Sequence, residues 1–167
     1  MATPLFMTQS YIQSSLDSYP LEFLNIKKNY ILVYGKDVLK DISVQPHHLR
    51  LQCEREIKGK LLLLREGFLE TEGKQKKIAE LIKASITAFI SIFNGLLHLK
   101  GIEIPPTRRE IIQSVAKEIP INQEIFMKCL DIKQGKAKFS SSEIKDLFTA
   151  YMVEVRKLWE VVDTMEI

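Results

Sequence analysis

The chain reads as mainly α: an antiparallel helical bundle of about five helices with a small N-terminal two-stranded β element. Three observations point there. From Pro46 onward apolar residues recur at spacings of three and four, the period of an amphipathic helix. Residues 16–44 instead carry short aromatic and β-branched runs set between turn-forming residues. The composition, 46% apolar and 27% charged with seven Gly and six Pro among 167 residues, suits a folded, helix-rich chain. The change of pattern divides the chain into an N-terminal α/β remnant, residues 1–45, and a helical bundle domain, residues 46–167.

In chain order, Thr8 caps a short helix over Gln9 to Ser15 that carries Tyr11 and Ile12, and Asp17 to Pro20 ends it. Residues 21–26 (LEFLNI) and 30–34 (YILVY) predict two strands joined by Lys27-Lys28-Asn29, with Gly35 breaking the second. Asp37 to Lys40 predicts a helical turn and Ile42 to Val44 an extended stub. Pro46 suits the first turn of a long helix whose Leu49, Cys53, Ile57, Leu61, Leu64 and Phe68 form one apolar stripe. Arg50 with Glu54, Glu54 with Lys58 and Glu56 with Lys60 stand four apart on its solvated face. Gly73 separates it from a helix over Gln75 to Leu99, apolar on most sides and so central to the bundle. Gly101 and Pro105-Pro106 stop that helix. Thr107 caps Arg108 to Glu118, Asn122 caps Gln123 to Lys133, a basic loop follows over Gly135 to Lys138, and Ser140 to Ser142 cap the last helix. Gly59 inside the first long helix predicts a close helix approach.

Composition narrows the function classes. A net charge of +3 from 24 basic and 21 acidic residues is well mixed, so nucleic acid is not indicated as a partner. Cys53 and Cys129 show no metal-ligand or CxxC spacing and read as free buried thiols. The N-terminal segment MATPLFMTQSYIQSS lacks the pattern of a secretory signal, and the stretch from Ala84 to Leu99, interrupted by Asn94, Gly95 and His98, reads as a core helix; a cytoplasmic protein with no membrane span is the expectation. Gly35-Lys36-Asp37 lacks the full phosphate-loop spacing and reads as a strand-ending turn. His47, His48 and His98 lack companion ligands and read as exposed or hydrogen-bonded side chains.

The segments PLEFLNIKKNYILVYGKDVL and LRLQCEREIKGKLLLLREGFLE resemble the C-terminal region of bacterial nucleotidyltransferase-like proteins of the DNA polymerase β superfamily. In that family a helical bundle follows a catalytic sheet whose Gly-Ser turn, acidic pair and third carboxylate hold two Mg²⁺ ions beside a nucleotide triphosphate. The Gly-Ser and Asp-x-Asp motifs are missing here. What the resemblance implies is Glu22 as a candidate third carboxylate and metal ligand, Asp37 as a further metal candidate, Lys60 and Arg65 as nucleotide or anion contacts, and Mg²⁺ as the cofactor if those roles hold. Helical nucleases that accompany such proteins use an Arg followed closely by His, which none of Arg55, Arg65, Arg108, Arg109 or Arg156 provides.

The expected function is therefore a non-catalytic helical binding module, similar to the C-terminal part of a nucleotidyltransferase-like protein. Its expected partner is a separately encoded catalytic domain or a second copy of itself, because exposed strand edges find partners. The alternative is a nucleotidyltransferase-related enzyme fragment that binds nucleotide and Mg²⁺. The bundle shape alone suggests a further one, a toxin-antitoxin-type interaction protein.

Overall fold

Every regular element among the described residues, 4–137 and 139–167 of the computed structural model, is helical. The order is α1 (Gln9–Ser14), α2 (Pro20–Lys28), α3 (Pro46–Glu70), α4 (Gln75–Leu99), α5 (Arg108–Glu118), α6 (Gln123–Lys133) and α7 (Ser141–Asp163). The first three residues of the N-terminal segment and Lys138 of the expected basic loop lie outside the described residues.

The expected two-stranded β element is corrected. Residues 21–26 lie within α2, and residues 30–34 hold no regular structure. Leu21-Glu22-Phe23 imitates a period of two for three residues, but Leu24 breaks it. Leu21 and Leu24, three apart, share one helical face and enter the main core, while Phe23 joins Ile12 and Ile42 in a smaller cluster. Pro20 at the first turn, Glu22 near the N-terminus and Lys27 and Lys28 in the last turn all favour a helix. A lone strand would leave its backbone N–H and C=O groups without partners, whereas the helix satisfies them within itself.

The five helices from residue 46 onward form the bundle. α3 and α4 are joined through Thr71–Lys74, where the Thr71 hydroxyl donates to the Phe68 carbonyl at 2.7 Å and accepts from the Gly73 amide at 3.1 Å. Gly73 takes φ +71° there, a conformation that costs glycine little. The start of α3 meets the end of α7, with Arg50 donating to the Val162 carbonyl at 3.0 Å; Phe68, near the end of α3, stacks on Phe148, near the start of α7, at 4.7 Å. α7 therefore runs antiparallel to α3. Ser141 at the start of α7 donates to Gln75 at the start of α4, so these two run parallel. Capping boxes at Thr107 and Ser140 set the starts of α5 and α7, and the Asn122 side chain caps α6.

The centre is aromatic. Phe126 and Tyr151 meet edge-on at 5.6 Å, with Phe89 and Phe93 around them. Tyr151 is fully buried, and its hydroxyl lies 3.1 Å from that of Ser85, so its one polar atom has a partner. By length and composition alone α4 suffices to cross a membrane, with a mean hydropathy of 1.4 over its most apolar window, so the interrupted stretch at its C-terminal end does not bar it. In this fold 61% of that window is buried against other helices, as the centre of a bundle requires.

Glycine placement corrects one expectation. Among the described residues a Cβ built on Gly59 meets nothing within 4 Å, so Gly59 marks no close approach there. The tight contact is at Gly95 of α4, where a Cβ would stand 2.8 Å from Leu21 Cδ1 and 2.9 Å from Cys53 Sγ. Gly95 is what lets α2 and α3 both close onto α4.

Candidate functional site

Glu22 sits in the first turn of α2, exposed, and not on a strand. Its Oε2 accepts from Gln52 Nε2 at 2.6 Å, while Gln52 Oε1 accepts from the Leu21 amide at 2.8 Å. Tyr19, the residue preceding α2, supplies no side-chain cap. Gln52, 3% exposed and reaching across from α3, thus does the work of an N-cap for another helix. The pattern that singled out Glu22 could not show this, because a mid-helix Gln carries no sequence signal for a cap in a distant segment.

Asp37 organises the turn after the irregular segment. Its Oδ1 accepts from the Leu39 and Lys40 amides at 3.1 Å each, and its Oδ2 accepts from the Tyr30 hydroxyl at 2.6 Å. The Tyr30 hydrogen bond, with the backbone amides behind it, holds the Asp37 carboxyl below its ordinary range, and the same bond raises the Tyr30 phenol. Three of the roughly four acceptor sites of Asp37 are taken within its own loop, which is the chemistry of a turn.

Lys60 pairs with Glu56 at 3.8 Å, and Arg65 is exposed on α3. Five residues apart, they project from α3 at an angle of about 140°, so they do not point together at one anion. Among the described residues no group of three or more His, Cys, Asp or Glu side chains could hold a metal ion. Burial pushes the Cys53 thiol up to about 12 and raises Cys129 as well, so neither supplies a thiolate near neutral pH. His47 and His48 line a cleft of about 290 Å³ with Asp17, Ser18, Gln52 and Arg55, in which the buried polar side chain, Gln52, is already committed to α2.

What the structure presents instead is an apolar ribbon. Ile31 is 87% exposed, Leu32 50%, Val33 92% and Tyr34 95%. No backbone–backbone hydrogen bond among the described residues involves residues 30–38. A run that is apolar on both alternating faces belongs inside a sheet, where neighbouring strands take its amides and carbonyls and layers on both sides take its side chains. Here it lies between the C-terminus of α2 and the Asp37 turn, with both kinds of group open. Comparison of the chain with family models, with curated proteins and with solved structures finds no match.

Proposed function

We propose that this chain is a non-catalytic helical interaction module that docks onto the β-sheet of a separately encoded, catalytic-type domain. The observation that carries the reading is the exposed, unpaired run Ile31–Tyr34. Its residue types favour a strand, its backbone groups need partners, and its side chains need cover on two faces; a sheet edge supplies all three. The helices behind it share a continuous core from α2 to α7, and the ribbon leaves that core at the end of α2. The two candidate carboxylates are engaged within the chain, Glu22 by Gln52 and Asp37 by its own turn.

The test uses the polypeptide encoded directly upstream of this chain, co-expressed with it. A stoichiometric complex is expected, in which the amides of residues 31–34 gain protection from hydrogen exchange. Val33→Pro, which removes a ladder donor, should abolish it, while Val33→Thr, a good strand former, should not. Val33 lies outside every helix, so helical circular dichroism should be unchanged in both variants. No complex with that polypeptide, or a complex indifferent to Val33→Pro, would refute the reading. Binding heat with Mg-ATP that Glu22→Gln removes would replace it with the nucleotidyltransferase reading.

A further inference from the structure

α3 carries a second unpartnered surface, on the side away from the core. Its inner face buries Leu49, Cys53, Ile57, Leu61 and Leu64. At about 100° per residue, Leu51, Arg55, Gly59, Leu62, Glu66 and Leu69 fall within a sector of about 80° on the opposite side. Leu62 and Leu69 there are 58% and 78% exposed. The outer face of a bundle helix is ordinarily polar, and three leucines on it need an explanation.

Two further features of this face find no partner among the described residues. Gly59 has nothing within 4 Å of the place a Cβ would occupy, although a glycine inside a helix costs about 1 kcal/mol relative to alanine. Arg55 and Glu66 make no ion pair among the described residues, whereas Arg50, Glu54, Lys58, Glu56 and Lys60 on the same helix are all paired. The order Arg55, Gly59, Leu62, Glu66 is palindromic in spacing, four then three then four, and opposite in character about its midpoint. A hole mirrors a knob, and a cation mirrors an anion.

We propose that two copies of this chain pair antiparallel through the outer face of α3. A two-fold axis between positions 60 and 61 places Leu62 of each copy over Gly59 of the other and Arg55 of each beside Glu66 of the other. The same axis brings Leu51 of each copy within one residue's rise of Leu69 of the other at both ends, so the contact runs along about 27 Å of helix. An antiparallel arrangement about such an axis is isologous and closes as a dimer. Self-complementary charge selects a second copy over a foreign helix, because every unpaired charge on the face finds its opposite on the same face. The surface is distinct from the Ile31–Tyr34 ribbon and does not depend on it.

Sedimentation equilibrium of the full chain across a range of concentrations tests this. Wild type is expected to dimerise. Arg55→Glu and Glu66→Arg should each weaken the dimer at least tenfold, since either change puts like charges together twice per dimer, and the double variant should restore association because both pairs re-form with reversed polarity. Both side chains are exposed, so circular dichroism should show intact helices throughout. A wild type that stays monomeric at high concentration overturns the proposal, and so do single variants that associate like wild type or a double variant as weak as the singles. Val33→Pro should leave the dimer constant unchanged, which separates failure here from failure of the sheet-docking reading.

Discussion

The same substitution, glycine to alanine, should have opposite signs at two places in this bundle. Gly59 and Gly95 both lie inside long helices, so alanine at either removes about 1 kcal/mol of helix-propensity penalty. At Gly59 the new methyl group enters open space, and the folded monomer should gain about 0.5–1 kcal/mol. At Gly95 it arrives 2.8 Å from Leu21 Cδ1, 2.9 Å from Cys53 Sγ and 3.4 Å from Leu49 Cδ1. Leu21 can rotate a little, but Cys53 and Leu49 are fully buried between α3 and α4 and have nowhere to go. Overpacking of this kind costs about 1–3 kcal/mol, which leaves a net loss of about 1 kcal/mol after the propensity gain. Urea unfolding followed by circular dichroism should therefore separate the variants by about 2 kcal/mol, or several degrees in thermal midpoint for a chain of this size. The comparison belongs in the Arg55→Glu background, so that self-association does not enter the apparent stability. Equal shifts of the same sign would refute the packing argument at Gly95.

Two further outcomes test the N-terminal region. Gln52→Ala should destabilise the fold by about 1–3 kcal/mol, because the Leu21 amide loses its acceptor in a buried place; hydrogen exchange at that amide should rise more than elsewhere in the bundle, and an unchanged rate would count against the cross-helix cap. Asp37 has a depressed folded-state pKa, so its contribution to the 37–40 turn is fully present above the ordinary carboxylate value and is lost as pH falls through the lower folded value, below about pH 4. Amide chemical shifts of Leu39 and Lys40 should move together in that window and stay flat across neutral pH, whereas Asp37→Asn should flatten them throughout.

From Pro46 onward the helices were legible in the residues themselves. Threonine, asparagine and serine caps mark where α5, α6 and α7 start, glycines and prolines mark the stops, and the three-four spacing names the buried face of α3 and α7. These signals are local, acting over one or two turns, so no distant contact is needed to read them. Residues 21–26 were not legible in that way. Over Leu21-Glu22-Phe23 helix and strand periods both fit, and the choice fell to Leu21 and Leu24 finding α3 and α4 while the backbone had no strand to pair with. Ile31–Tyr34 carries the same strand-like residues without that rescue, and remains open.

The candidate site divides along the same line. Glu22 and Asp37 stand out in the sequence as carboxylates near strand-like segments, but a carboxylate's role depends on which groups its oxygens meet. Gln52 and a turn of backbone amides claimed them, and both contacts are properties of the assembled chain. From Pro46 onward helix identity, helix ends and the inward stripe follow from the sequence by itself, because propensity, capping and periodicity are short-range. Which glycine is a contact and which is a vacancy, which charges are spent and which wait on the outer face of α3, and which apolar residues stay uncovered were decided by tertiary structure alone. Each depends on what stands opposite a residue in space.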